Sequence, residues 1–419
     1  MTGKIIDRWA ATAVVEAMAD TRVVFVLGAR QVGKSTLVTQ YADAHQTPPV
    51  VSLDNKAARD AALADPVGFV GAMSRPAIID EVQRAPELLL AIKEEVDKDT
   101  RPGQWLLTGS SNVSSNRRVK DALTGRMEII TLWPLAQAEI HDGGNFVSAL
   151  FTGTPPLIEN APVGRQAFVS AVAAGGFPEA LGRSGQRRDR WFQSYLDTSL
   201  DRDLRDISDA LKLDEVPNLL RLVATQAAGL VNRSILADRL QISHSTVRSY
   251  LELLESVFLI HRLPAWRPGL AAREVHTPKV YLVDTGLLLH LLGADEMRLG
   301  SDDQITVKAL ENFVAMEIVK QAAIGVGIKV YHYRFGRDEV DIVLESRAGD
   351  IVAVEVKASA TPNNADRRGL TRLRDAAGDK FKAGVIIYSG RQTIPQGDRI
   401  WAVPVSGLWA GNRAAHNPN

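Results

Sequence analysis

Five consecutive apolar residues, Val23 to Leu27, follow a stretch whose hydrophobic positions are interrupted by Glu16, Asp20 and Arg22. The run is too short for a helix and rich in β-branched side chains, so it predicts a buried parallel strand. RPAIIDEVQ and QWLLTGSSN carry similar short runs, ending at Asp80 and near Thr108, and PVVSLDN adds one more that ends at Asp54. Strand and helix patterns alternate across residues 20–135, which predicts a parallel sheet flanked by helices. Gly175-Gly176-Phe177-Pro178 then breaks the chain. Beyond it, Trp191, Tyr195, Leu196, Leu200 and Leu204 recur at near-helical spacing and mark one buried helix face. Arg187, Arg188, Arg190, Arg202 and Arg205 alternate with Asp189, Asp201, Asp203 and Asp206, a mixture that suits a solvated surface.

From Ser234 to Trp266 the pattern is helix, tight turn, second helix, then strand-like VFLIHRL. Ser243 is placed to cap the second helix, and the layout predicts a winged helix with VFLIHRL as its wing. His244, Ser245, Arg248 and Ser249 face Glu252 and Glu255 on that helix, a thin basic surface for a DNA groove. A lid or partner-docking role fits it better. Near the C-terminus EVDIVLESRAGDIVAVEVKAS alternates with period two around a polar turn, a hairpin centred on Ala348. The whole chain divides as 1–140, the first α/β unit; 141–232, a helical lid or linker; 233–300, the winged-helix region; and 301–419, a second α/β domain.

Chemistry enters at the end of the first strand. Gly28-Ala29-Arg30-Gln31-Val32-Gly33-Lys34-Ser35 is a full P-loop pattern, and Thr36 follows beside it. The glycines let successive N–H groups point at phosphates, with the positive end of the next helix behind them. Lys34 is the residue for the β and γ phosphates, and the Ser35 hydroxyl for Mg²⁺. The second acidic site is Asp80-Glu81: Asp80 beside the metal, Glu81 orienting and deprotonating the attacking water. Thr108, Ser110, Ser111 and Asn112 are candidates for sensing the γ-phosphate. Arg126, after Gly125, is placed to stabilise transition-state charge in cis or in trans, or is an ordinary surface arginine.

The stretches LGARQVGKSTLV, AIIDEVQRAPELL, LLTGSSN and LTGR…WPLAQAE resemble, in order, the motifs of prokaryotic AAA-type ATPases that carry a C-terminal domain of formerly unknown function. GGFPEAL, PKVYLVDTGLL and ENFVAMEI extend the resemblance over most of the chain, although no chemistry attaches to GGFPEAL or DTGLL. The resemblance implies ATP as the nucleotide. It also implies an AAA-like ATPase joined to a winged helix and a restriction-endonuclease-like core.

In the C-terminal hairpin, pairing 341 with 355 puts Val340, Ile342 and Leu344 on one apolar face with Val352, Val354 and Val356. The same register sets Asp341 and Glu355 opposite each other, with Lys357 one diagonal step away. Facing carboxylates repel unless a cation lies between them. A Mg²⁺ ion held by Asp341 and Glu355, with Glu311 as a further ligand and Lys357 aiming a bound water, makes a phosphodiester nucleophile. The order Asp, turn, Glu-x-Lys resembles the PD-(D/E)-x-K nuclease signature, without its proline. The competing arrangement is a ladder of surface ion pairs with Lys357 opposite Glu339. Arg367, Arg368, Arg372 and Arg374 form a basic helix suited to a phosphate backbone.

Composition changes this picture little. The chain has 419 residues, no Cys, and 49 basic against 49 acidic residues. Absence of Cys excludes disulfides, thiolate metal sites and Cys nucleophiles. Zero net charge confines nucleic-acid contact to local patches. With no membrane-length apolar run and no secretory leader pattern, the sequence reads as cytoplasmic. The expected partners are ATP, DNA, a second copy of the chain or a protein, and no membrane. Two functions compete: ATP turnover coupled to Mg²⁺-dependent action on DNA, and an ATP-driven switch whose C-terminal domain is non-catalytic.

Overall fold

The structure is a computed structural model that describes residues 5–110, 123–207, 213–267, 277–325, 327–336 and 338–410, the side chains of 201–207 and 213 aside. It is α/β. A parallel sheet of P-loop type comes first, helices follow, and a mixed sheet closes the chain.

Helix α1 (Ala10–Asp20) leads into β1 (Val23–Leu27), which is buried at all five positions. Helix α2 (Lys34–His45), β2 (Val51–Ser52), β3 (Ala77–Asp80), α3 (Leu88–Lys98), β4 (Trp105–Gly109) and β5 (Met127–Thr131) complete the first unit. The strands lie in the order β2-β3-β4-β1-β5, all parallel. Loops leaving the C-terminal ends of β1, β3 and β4 therefore share one edge of the sheet, where ligands of open parallel sheets bind.

Helix α4 (Gly185–Ile207) buries Tyr195, Leu196 and Leu200 of the face its spacing predicted, with Phe192 added and Trp191 half-buried, while the side chain of Leu204 lies outside the described residues. Helix α5 (Val216–Thr225) and β6 (Gly229–Leu230) precede the helix pair α6 (Arg233–Leu240) and α7 (His244–Ser256), the latter capped by Ser243. VFLIHRL becomes β7 (Ile260–Leu263), paired antiparallel with β8 (Lys279–Leu282), which also pairs with β6. Both ends of β7 are buried, its continuation bridges to the C-terminal sheet at Ala265–His332, and part of the connection to β8, residues 268–276, lies outside the described residues.

Two motifs without chemistry prove to be one joint. Helix α8 (Thr285–Leu291) is capped by Asp284, whose carboxylate accepts from Leu287 N at 3.0 Å and from Gly176 N at 2.6 Å. Gly175 has φ 68, and a Cβ there would stand 2.4 Å from Asp284. Thus GGFP and DTGLL are needed together for packing.

Helix α9 (Asp303–Ala322) packs on β9 (Lys329–Phe335), β10 (Asp338–Glu345) and β11 (Ile351–Lys357), and helix α10 (Arg368–Ala377) covers the other face. With β12 (Phe381–Tyr388), β13 (Ile394–Gly397) and β14 (Ile400–Pro404), the order is β13-β14-β12-β11-β10-β9. The hairpin register is the one expected: Ile342 pairs with Val354 and Glu345 with Ile351. Its faces are not quite as expected. A bulge against β9 between Val340 and Val343 turns both valines toward Leu370 and Leu373. Ile342 and Leu344 stay with Val352 and Val354 in the main core. The Asp341–Glu355 row is buried and does not form a surface.

Candidate functional site

The first cluster stands at the C-terminal edge of the parallel sheet. Gly28 must be glycine, since a Cβ would lie 2.1 Å from the Leu132 carbonyl. The loop then turns through two left-handed residues, Gln31 at φ 60 and Gly33 at φ 99, and enters α2. Ala29 and Val32 are buried, Arg30 is half-buried, and Thr36 is an exposed helix residue. Lys34 is 4% exposed, and its Nζ donates to Gly28 O at 3.0 Å and Ala29 O at 2.8 Å. The Ser35 hydroxyl donates to both Asp80 oxygens at 3.2 and 3.0 Å. A hydroxyl and a carboxylate so close fit Mg²⁺, which keeps most of its waters and takes phosphate oxygens for the rest.

Thr108 joins this group from β4. Its hydroxyl donates to Asp80 and accepts from Glu81 N at 3.0 Å. Ser110 is buried and accepts from the Gln83 amide at 2.9 Å, while Ser111 and Asn112 lie outside the described residues. Gln83 also donates to the Glu81 carboxylate. Asp54 is not at the phosphate edge group; it pairs with Arg84 at 2.5 Å.

For Arg126 the fold removes one of the three expected readings, action in cis. It precedes β5 at the opposite edge of the sheet, where its carbonyl accepts from Val23 N, at the start of β1. Since β1 and β5 run parallel, a whole strand length separates it from the loop that follows Leu27. Its guanidinium pairs with Asp97, which holds that carboxyl below its usual range and raises the arginine. Within its own chain Arg126 cannot reach the phosphate site.

The second cluster forms where the middle and C-terminal units meet. Asp341 Oδ2 accepts from Val356 N at 2.9 Å, Glu355 pairs with Lys357 at 2.7 Å, and Glu311 approaches from α9. What stands between Glu311 and Asp341 is Lys279, the first residue of β8. Its Nζ lies 2.8 Å from Glu311, 2.8 Å from Glu339 and 3.0 Å from Asp341, with its side chain 4% exposed. Among the described residues no group of three or more acidic or histidine side chains is placed to hold a metal ion. Of the expected metal set, Glu311 and Asp341 meet on the ammonium of Lys279, while Glu355 pairs with Lys357. Lys357 does not face Glu339, as the ion-pair ladder required.

Electrostatics follow from burial. Desolvation, then the charge of Asp341, push Glu311 and Glu355 up to about 8. Burial alone would lower Lys279, yet Asp341, Glu311 and Glu339 together raise it, so it stays protonated. His332 is pushed down to about 4 by burial and by Lys279, so its ring is neutral. The basic helix is spent locally. Arg368 and Arg372 pair with Asp338 at 2.8 and 2.7 Å, Arg374 with Asp375, and Arg367 donates to Gln396 O.

Three residues escaped the sequence reading. Arg8 donates to Val32 O at 2.7 Å and Trp133 O at 2.7 Å and pairs with Glu139, tying the P-loop to the segment after β5. Nothing in its local sequence signals this. Gln83 lies two residues after Glu81 in DEVQ, and Lys279 is a charge opening a buried strand. The lysine could be noticed as a charge, but its partners could not be read from the sequence.

A family model described as an AAA domain matches residues 20–141. Two others, each described as a domain of unknown function, match residues 165–298 and 308–408. An uncharacterized protein of Mycobacterium tuberculosis is 27% identical over 402 residues, 95% of this chain and 83% of its own. One of Haemophilus influenzae is 21% identical over 306 residues, 71% of this chain and 69% of its own. Among solved structures, the Walker-type ATPase of Pyrococcus abyssi aligns at TM-score 0.45 and 17% identity, covering 69% of this chain and 96% of that one. AMPPCP-bound DnaA of Aquifex aeolicus aligns at TM-score 0.30 and 11% identity, covering 60% and 89%. The N-terminal region is thus similar in sequence to AAA domains, and its P-loop is that of a nucleotide-binding site.

Proposed function

We propose that this chain is a cytoplasmic ATP-binding and ATP-hydrolysing switch whose C-terminal domain engages a partner, protein or DNA, and does not cut. The carrying observation for turnover is the convergence of Lys34, Ser35, Asp80, Glu81 and Thr108 on one sheet edge. Lys34 supplies positive charge to the β and γ phosphates. The loop N–H groups hold them, and Ser35 with Asp80 would hold Mg²⁺, which neutralises phosphate charge. Glu81 takes the proton of the water that attacks the γ-phosphorus, while the β–γ bridging oxygen leaves with the bond electrons.

Lys279 supports the non-catalytic half of the reading, because an ammonium already satisfies the carboxylates that a nuclease would give to a metal. A physical link between the two sites supports the switch. The Leu132 carbonyl touches Gly28, and three residues on, Leu135 O accepts from Lys320 at 3.0 Å. Glu317 accepts from Gln137 N at 2.7 Å, so α9 is clamped to the segment leaving β5. That same helix carries Glu311. A shift at the P-loop is thereby felt by the helix that holds the second cluster.

One observation favours the nuclease alternative. Glu355 Oε2 is buried without a hydrogen-bond partner, a carboxyl oxygen left open for a ligand. The test is ATP turnover in wild type and Lys34→Ala, beside supercoiled plasmid with Mg²⁺ or Mn²⁺. The expected result is turnover reduced about 100-fold in the variant and intact plasmid throughout. Plasmid nicked by wild type but not by Lys357→Ala would replace this reading with the nuclease.

A further inference from the structure

We infer that Arg8 is a positioning residue for the P-loop, locking the Val32–Gly33 peptide so that the Gly33 N–H is turned toward phosphate; this rests on the reading of the loop as the ATP site. Gly33 has φ 99, and its carbonyl accepts from Leu37 N at 2.9 Å as the first turn of α2 closes. The helix thus holds the C-terminal side of Gly33, but it does not fix the N-terminal side. Turning the Val32–Gly33 peptide over changes only ψ of Val32 and φ of Gly33, and glycine takes either sign of φ at similar cost. Flipped, the loop would present the Val32 carbonyl to phosphate oxygens, acceptor against anion, where an anion-binding loop needs a donor.

Arg8 holds the peptide in the other orientation. Its Nη1 donates to Val32 O at 2.7 Å, and in a trans peptide the Gly33 N–H then points the opposite way, away from Arg8. A Cβ on Gly33 would stand 3.7 Å from that nitrogen, so the arginine lies directly against the turn. The guanidinium is itself held on two further sides. Nη2 donates to Trp133 O at 2.7 Å, and Nε to Glu139 at 3.1 Å. Glu139 also accepts from Trp9 N at 3.0 Å and from Ala136 N at 2.9 Å, so its position does not depend on Arg8 alone. The Trp133 ring stands edge-on to Phe258 and His261, with centroids 5.9 and 5.5 Å away, which stiffens the second anchor. With its side chain 8% exposed, Arg8 directs a buried charge largely at two main-chain carbonyls. A staple between α1 and the segment after β5 would need only Glu139 and Trp133. The bond to Val32 is the one that reaches the loop.

The consequence is a change in binding with little change in turnover. The Gly33 N–H meets phosphate in the bound substrate and in the transition state alike, so its loss removes uniform binding. Arg8→Met keeps an apolar stem and deletes every donor. Kd and KM for ATP then rise roughly tenfold, the worth of one hydrogen bond to an ionised group, while kcat stays within about threefold. Arg8→Lys keeps the charge but lacks the fork that reaches both carbonyls, so the rise is smaller, about threefold. A merely structural staple behaves differently. Its loss lowers thermal stability and the folded fraction, so that turnover per chain falls while Kd and KM stay unchanged.

The experiment is titration of the full chain with a fluorescent ATP analogue and Mg²⁺, beside steady-state ATP hydrolysis, for wild type, Lys34→Ala, Arg8→Met and Arg8→Lys. Higher Kd and KM in both Arg8 variants, with kcat retained, support the inference. Kd and KM within about twofold of wild type in Arg8→Met overturn it, and leave the ATP site standing if Lys34→Ala still loses binding. If Arg8→Met does not fold, an unchanged Kd in Arg8→Lys overturns it equally. Wild type that binds the analogue without Lys34-dependent hydrolysis sinks the hydrolytic reading alone, and the Kd of the Arg8 variants still decides the inference. Wild type that binds no ATP analogue overturns both.

Discussion

The two polar clusters are built from the same parts, a lysine and a set of carboxylates, and they differ in what the lysine touches. Lys34 donates to main-chain carbonyls of its own loop, neutral acceptors five and six residues away in the chain. Phosphate oxygens are stronger acceptors and can displace such bonds. Lys279 instead joins three carboxylates from two different elements, α9 and β10, to its own strand β8. No neutral ligand can displace it without leaving buried negative charge behind. The first cluster is arranged to exchange partners, and the second to keep them.

Removing the ammonium breaks that contrast most directly. Lys279→Met comes within one atom of the side chain's length and deletes its charge, leaving Glu311 and Asp341 buried without a counter-charge. Breaking a buried ion pair in this way costs about 3–5 kcal/mol. The denaturant midpoint of the variant should fall by a corresponding amount, with P-loop nucleotide binding retained. A variant as stable as wild type would show that the carboxylates find another cation, and would return the metal reading to favour.

A smaller effect comes from pH. Burial pushes Glu355 and Glu311 up to about 8 from an ordinary 4.5. Between these values the folded chain binds more protons than the unfolded one, so stability falls as pH rises. Their contribution is complete below pH 4.5 and lost as pH passes 8. Thermal unfolding between pH 5 and 8 should show this slope, and Glu355→Gln, which cannot ionise, should flatten it. An unchanged slope in the variant would mean that Glu355 ionises normally in the folded chain.

The same contrast explains what the sequence made legible. The phosphate site is local: a strand, a loop and a helix in direct succession carry most of it, and its chemistry demands glycine at Gly28 and Gly33. Such a site is readable from residue types and spacing. Asp341, Glu355 and Lys357 were legible for the same reason, as a hairpin fixes its own register. Lys279 was not, because it meets Asp341 across 62 residues and a different sheet, and nothing local to TPKVYL announces that meeting. The bulge at Val340 was hidden as well, since alternation in one strand carries no information on its partner's register. GGFP and DTGLL were recognisable yet mute until the Asp284–Gly176 contact gave them a shared purpose.

Arg126 gives the smallest expected effect and sharpens the comparison from the other side. A glycine before an arginine in LTGR looked like a transition-state finger, yet the fold puts it at the entry edge of a parallel sheet whose phosphates bind at the exit edge. Its bond to Asp97 is a partly exposed ion pair, a kind that contributes little to stability. Arg126→Ala should therefore leave stability and the turnover of isolated subunits unchanged. Turnover per subunit, followed over a wide range of protein concentration, separates the two ways the residue could act. A flat profile in both proteins confines Arg126 to its pair with Asp97. A rise with concentration in wild type that is lost in Arg126→Ala would mean that a second copy presents this edge to its neighbour's Lys34 and Glu81. The phosphate site would then be completed across subunits, while the Lys279 cluster is complete within one chain.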